Sequence, residues 1–171
     1  MKLRELMEDV SKGTYAGVYF DEDTKKAVKK YLEDNDIPKP VNVDKLHTTL
    51  LYSRKFLPDY IPGGMYDKPL IGTPVELVVW KTQGDEGKEP ANCLVMKYDC
   101  PELVDRHKSL MKEHGATFDY PEYTPHITLS YDIGDMSVEY MSDIKEAIKQ
   151  VGIVEEYGED LQLDWAHKAH K

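Results

Sequence analysis

Two short segments of this chain repeat one pattern, and that repeat constrains the fold more than any other feature. His47-Thr48-Thr49-Leu50-Leu51-Tyr52 in the first half is echoed by His126-Ile127-Thr128-Leu129-Ser130-Tyr131 in the second, and both read H-x-T-L-x-Y. Each lies in a run of strand-forming residues. Side chains two apart on a strand share a face, so His47 and Thr49 point one way, as do His126 and Thr128. The alternate residues Thr48, Leu50, Tyr52 and Ile127, Leu129, Tyr131 are expected on the opposite, core-packing face. A pseudo-two-fold between the halves would bring two imidazoles and two hydroxyls to one cleft, an arrangement that suits a phosphate.

A phosphodiester held between His47 and His126 could be cleaved by proton transfer. Neutral imidazole takes a proton from an attacking hydroxyl, and imidazolium gives one to the leaving oxygen. Histidine titrates near pH 6.5, so both forms coexist near neutrality. Thr49 and Thr128 can hydrogen-bond the non-bridging oxygens as charge develops. No metal or other cofactor is needed for that chemistry. A single H-x-T triplet is more simply a packed histidine beside a β-favouring threonine; the doubling, one copy per half, argues against packing alone. Competing metal chemistry finds no H-E-x-x-H and no C-x-x-C, and threonine is a poor ligand. His167 and His170 fall in a polar tail and are expected at the surface. His107 and His114 fall on an expected helix, packed or solvated.

Charge narrows the partners. The formal net charge is −10 over 171 residues, whereas long nucleic acid is bound largely through a basic surface that releases counterions. A nucleotide-sized anion remains compatible with an acidic protein through a locally positive cleft. No apolar run is long enough for a membrane span, and Met1-Lys2-Leu3-Arg4-Glu5-Leu6 lacks the apolar core of a secretory signal, so a cytosolic protein is expected. Cys93 and Cys100 are too few for a disulfide framework and are expected as reduced thiols.

Along the chain, residues 1–12 suggest a short amphipathic helix or arm and 13–20 a strand. A helix follows from about Asp23, with Asp21, Asp23 or Thr24 as its cap. Leu46 to Arg54 carries the first motif. Residues 55–73, dense in Pro and Gly, are expected as a long irregular connection of the kind that is often functional. Val75 to Thr82 and Asn92 to Asp99 are expected as a hairpin. Then come a helix over Glu102 to His114, closed by Gly115, and a Tyr/Pro-rich loop before the second motif. A helix over Val138 to Gln150, an acidic loop around Glu155-Glu156-Tyr157-Gly158-Glu159-Asp160 and a last strand over Leu161 to Ala166 complete the series. The order suits an α+β fold of mainly antiparallel sheet. Tyr15 on the first strand and Trp165 on the last could each stack on a base.

With both motifs in hand, the chain resembles the two-histidine phosphoesterase superfamily, whose two pseudo-symmetric lobes of mainly antiparallel sheet, with flanking helices, each give one H-x-T to a central cleft. Within it, the chain is most similar to the phage anti-CBASS nucleases. The likeness rests on Gly13-Thr14-Tyr15-Ala16-Gly17-Val18 ahead of the first motif, on Pro125-His126-Ile127-Thr128-Leu129, and on a terminal Glu-x5-Trp, here Glu159 and Trp165. The resemblance implies a single bilobal domain over residues 1–171 that cleaves 3′–5′ bonds in cyclic di- and trinucleotide immune signals without metal, in the host bacterial cytoplasm. His47, Thr49, His126 and Thr128 would then be catalytic, Tyr15 and Trp165 would clamp bases, and Glu159 would contact one, although Glu155, Glu156 or Asp160 could take its place. Either histidine could be the base. A 2′,3′-cyclic phosphodiesterase or RNA end-processing enzyme, and a non-catalytic sponge for cyclic nucleotides, are the alternatives.

Overall fold

The structure, a computed structural model, describes residues 12–83 and 89–162. In chain order these form strand β1 (Lys12–Phe20), helix α1 (Glu22–Asp34), β2 (His47–Ser53), β3 (Gly64–Thr82), β4 (Ala91–Asp99), α2 (Pro101–His114), β5 (His126–Ser130), α3 (Ile144–Ala147) and β6 (Val151–Gln162). The strands make a six-stranded open sheet in the order β2-β1-β6-β3-β4-β5, with every pairing antiparallel. The fold is therefore α+β. No helix among the described residues is long and apolar enough to cross a membrane.

Local chemistry sets the elements. Asp21 caps α1 by accepting the Thr24 N–H at 2.9 Å, and Val28, Tyr31 and Leu32 bury its apolar stripe. Helix α2 has Pro101 in its first turn, where the missing N–H costs nothing, and ends at Gly115 with φ of 61°, a left-handed position that glycine adopts freely. Leu103, His107 and Leu110 face inward. The helices cover a continuous apolar cluster that includes Val18, Phe20, Leu50, Leu51, Leu94, Met96, Tyr98, Ile127 and Leu129.

Strand β3 is the longest. Its first part, to Gly72, pairs with β6, and its second part, from Thr73, pairs with β4. This corrects the expected irregular connection over 55–73, which is irregular only up to Gly63. Pro69 lies within β3 where the ladder shifts register between Met65 and Leu70; a bulge is where proline costs a strand least.

Two further expectations are corrected. The expected helix over Val138 to Gln150 is instead a 3-10 turn at Val138–Tyr140 and the one-turn α3. Tertiary bonds capture the chain between them: the Tyr31 hydroxyl donates to the Ser142 carbonyl at 2.6 Å, and Asn35 Oδ1 accepts the Ser142 N–H at 2.8 Å. Asp143 then caps the restart by accepting the Lys145 N–H. Met141, Ile144 and Ile148 still bury, so the apolar stripe is real although the continuous helix is not.

Strand β6 begins at Val151, not at the expected Leu161, and is described to Gln162, so the expected acidic loop lies within it; the rest of the expected strand, to Ala166, falls outside the described residues. What admits Glu156 to a strand interior is pairing. Only 1% exposed, it receives Arg106 Nε and Nη2 at 2.8 and 2.9 Å, the Gly63 N–H at 2.8 Å and the Tyr60 hydroxyl at 2.9 Å. Burial alone would raise the Glu156 carboxyl; these donors outweigh it and hold the group below the ordinary carboxylate value.

Candidate active site

The two motif strands carry the same irregularity at the same place. On β2, Thr49 pairs with Gly17 and Leu51 with Ala16, so Leu50 is an extra residue. On β5, Thr128 pairs with Val95 and Ser130 with Leu94, so Leu129 is extra. Each bulge falls on the Leu of H-x-T-L-x-Y. A bulge resets the alternation of the residues beyond it. His47 and Thr49 share a face, as expected, and Thr48 and Leu50 are buried behind them. Tyr52 does not join them in the core. It returns to the His47 face opposite Tyr15, with the two rings edge to face at 6.5 Å. Tyr131, beyond the second bulge, is 55% exposed, so neither motif tyrosine packs in the core.

Both histidines are oriented alike. His47 Nδ1 bonds the Lys45 carbonyl at 3.0 Å, and His126 Nδ1 bonds the Thr124 carbonyl at 2.8 Å, in each case two residues back. A carbonyl only accepts, so Nδ1 carries the hydrogen and Nε2 is left free to exchange a proton. Burial lowers the His126 pKa from its ordinary value; nearby His47 lowers it further, against the bond to Thr124. The Trp80 ring lies edge-on to the His126 ring at 4.6 Å.

Although β2 and β5 stand at opposite ends of the sheet order, side chains tie them together. The Thr48 hydroxyl donates to the His126 carbonyl at 2.7 Å and accepts from the Tyr98 hydroxyl at 2.9 Å. The Tyr123 hydroxyl, from the loop before β5, donates to the Thr49 carbonyl at 2.7 Å. The two H-x-T segments therefore adjoin. Replacing Thr48 with Val keeps the shape but strands the buried Tyr98 hydroxyl and removes one strand-to-strand bond. A stability loss of about 1–3 kcal/mol is expected, read as a melting point lowered by roughly 3–10 °C. An unchanged melt would show that this bond does not hold the strands together.

A cavity of about 1000 Å³ opens on the first motif, lined by His47, Thr49 and Tyr52 of β2, Tyr15 and Tyr19 of β1, and Glu155, Tyr157 and Glu159 of β6. The Tyr157 ring stacks on Tyr19 at 4.1 Å and lies across Gly17, where a Cβ would stand 2.6 Å from its hydroxyl oxygen. Gly17 thus admits the aromatic wall. Tyr15 bonds its hydroxyl to Thr49 Oγ1 at 2.9 Å, and burial raises its pKa, so it stays a neutral phenol. Glu159 sits directly opposite Tyr15 across the β1–β6 ladder. Glu156 cannot replace it, being locked to Arg106 in the interior, and Asp160 lies near Lys12 at 3.9 Å. Glu155 remains, on the same wall. His126 and Thr128 stand on β5 outside this lining. Trp165, His167 and His170 lie outside the described residues.

The cavity is not a basic cleft. Lys25 and Lys45 are outnumbered on its wall by Asp21, Glu22, Asp44, Glu155 and Glu159. Sequence reasoning also missed Tyr52, Tyr157 and Trp80. Tyr157 was hidden because β6 was taken for a loop, and Tyr52 because a bulge leaves no mark in an alternating pattern.

Comparison with known proteins places the chain. The family described as Anti-CBASS protein Acb1 matches residues 12–168. The anti-CBASS protein Acb1 of Vibrio phage KVP40 is 38% identical over 167 residues, covering 96% of this chain and 97% of its own. Those of Acinetobacter phage Ac42 and Enterobacteria phage T4 are 38% and 37% identical, each covering 93% of this chain and, in turn, 97% and 95% of their own. The chain therefore belongs to the anti-CBASS protein Acb1 family.

Proposed function

We propose that the protein is a metal-independent phosphodiesterase that opens 3′–5′ linkages in cyclic di- and trinucleotide immune signals, acting in the cytoplasm of the infected host. The observation that carries this reading is the matched histidine pair: two imidazoles on adjoining strands, each with Nδ1 anchored and Nε2 free. On this reading residues 1–171 form one bilobal unit of the two-histidine phosphoesterase type, and the shared bulge and shared histidine anchoring reflect a pseudo-two-fold between its lobes.

A ribose 2′-hydroxyl attacks the adjacent phosphorus while one imidazole Nε2 takes its proton. The other histidine, protonated, gives a proton to the departing 5′-oxygen. Bond formation and bond cleavage balance, and the ring opens to a linear nucleotide ending in a 2′,3′-cyclic phosphate or, after water attack, a 3′-phosphate. Burial disfavours charge on His126, which suits it to the base role and leaves His47 as the acid. Thr49 and Thr128 donate to the non-bridging oxygens. Tyr15 and Trp165 stack on bases. Glu159 accepts from a base edge, which gives the acidic wall a purpose: exocyclic amino groups suit carboxylates, while the phosphate sits at the histidines.

The test is incubation with a cyclic dinucleotide in excess EDTA, following the linear product. Turnover that survives chelation is expected. Its pH dependence in kcat/KM should be bell-shaped. The base must be neutral, so activity is lost as pH falls through its pKa; with that value lowered by burial, the acid limb should lie below about pH 6.5. Tight binding without product would make the protein a sponge. Activity confined to 2′,3′-cyclic nucleotides would make it an end-processing enzyme.

A further inference from the structure

Against the backbone of the first motif, and not among the residues that line the cavity, lies a pair of aromatic side chains that the proposed reaction does not use. His107 of α2 is 6% exposed and stacks on Tyr123 at a ring separation of 4.2 Å and an interplanar angle of 10°. Phe118 closes on the edge of His107 at 4.8 Å. His107 Nδ1 donates to the Leu50 carbonyl at 2.8 Å, and the Tyr123 hydroxyl donates to the Thr49 carbonyl at 2.7 Å. Consecutive carbonyls of a regular strand point to opposite edges. Here both are met by one stacked pair, because the extra residue at Leu50 turns them together. Among the described residues β2 ladders only with β1, so on its outer edge these two side chains are the donors that meet the bulge carbonyls.

The second motif handles the same problem differently. The carbonyl of its extra residue, Leu129, accepts the backbone N–H of Val41 at 2.9 Å. One bulge is therefore fixed by main chain and the other by two replaceable side chains.

We propose that His107 and Tyr123 are positioning residues for the reaction: by clamping the Thr49 and Leu50 carbonyls they hold the bulge that turns His47, Thr49 and Tyr52 to one face. The inference rests on the phosphodiesterase reading. A slack bulge misplaces the Thr49 hydroxyl and the His47 ring relative to the phosphorus, and a misplacement near 1 Å can cost about 10²-fold in rate. Substrate contacts elsewhere in the cavity are untouched, so the loss belongs in kcat, not in KM.

The experiment compares Tyr123→Phe, His107→Leu and His107→Asn with the parent protein on a cyclic dinucleotide, well below each melting temperature. Asn can present its amide N–H where Nδ1 stood. Tyr123→Phe and His107→Leu should each lower kcat by about 10–100-fold, with KM changed by less than about twofold. His107→Asn should recover kcat to within about threefold of the parent, and the acid limb of the pH profile should stay in place, because the titrating groups are unchanged. Amide and ring resonances of Thr49 and His47 should shift in the first two variants and return in the third. Unaltered kcat and unaltered resonances in Tyr123→Phe and His107→Leu would overturn the proposal, as would a loss in kcat that Asn fails to relieve. If the parent protein itself opens no cyclic nucleotide, the phosphodiesterase reading fails separately, and the Thr49 and His47 resonances alone decide whether the clamp holds the bulge.

Discussion

His47→Ala and His126→Ala should each lower kcat for cyclic dinucleotide cleavage by about 10²–10⁴-fold, the range expected when a general acid or base is removed. The double variant should fall little below the worse single one, because an acid and a base that serve the same transfer act as a unit and their losses do not add. Neither substitution threatens the fold. Both rings are half-buried, and each makes its Nδ1 bond to a local carbonyl two residues back. Melting temperatures close to that of the parent should accompany the lost turnover. Binding should survive, since the aromatic and acidic walls remain, so the variants should still retain ligand by calorimetry. A His47→Ala protein that cleaves at the parent rate would remove the mechanism, whatever the family relationship.

Arg106→Leu should be the most damaging substitution for stability. It leaves the Glu156 carboxylate, 1% exposed, without its bidentate partner. Breaking a buried ion pair from one side costs about 3–5 kcal/mol, which for a chain of this length lowers the melting point by roughly 6–15 °C. Glu156→Gln should cost less, because Arg106 is one-third exposed and can turn to water. The double variant Arg106→Leu with Glu156→Leu should recover part of the loss, since no buried charge remains, although the Tyr60 and Gly63 donors lose their acceptor. The pH dependence has a definite sign. The folded Glu156 value lies below the unfolded one, so the pair stabilises fully above the ordinary carboxylate value, near 4.3, and its contribution is lost as pH falls toward and through the folded value. Denaturant melts of the parent at pH 7 and pH 3 should differ by more than those of Glu156→Gln. Equal differences would mean that another carboxylate governs acid unfolding.

The chain disclosed its motif strands and hid its central one, and the reason is physical. His47 to Ser53 and His126 to Ser130 declare themselves because alternation and β-branched residues coincide there. β6 does not, since Glu155, Glu156, Glu159 and Asp160 depress local hydropathy, and the partners that make Glu156 tolerable lie on α2, on β3 and in the segment before it. β3 was concealed by Pro69 and Gly72, residues that punctuate loops; here a register shift absorbs the proline, and the glycine pairs in register with Val151 where a Cβ would stand 2.5 Å from the Tyr98 ring. The helix expected over Val138 to Gln150 failed because propensity cannot see Tyr31 and Asn35 reaching across to Ser142. At the site, the residue types were legible and the facing was only partly so. His47, Thr49, Tyr15 and Glu159 line one wall together, but a one-residue insertion reversed Tyr52. The clamp of His107 and Tyr123 was unreadable, because its members are far apart in sequence and belong to no pattern.

The position of β6 between β1 and β3 carries a consequence for synthesis. While a nascent chain is still short of residue 151, no ladder among the described strands joins the β1–β2 pair to the β3–β4–β5 group, and the edges of β1 and β3 that β6 will cover are bare. Those edges are open templates for strands of other molecules. Zipping of β6 against both neighbours is a long-range closure, of the kind that slows folding. The interval between leaving the ribosome and becoming active should therefore be set by that late insertion, and crowding by sister chains should be most harmful within it.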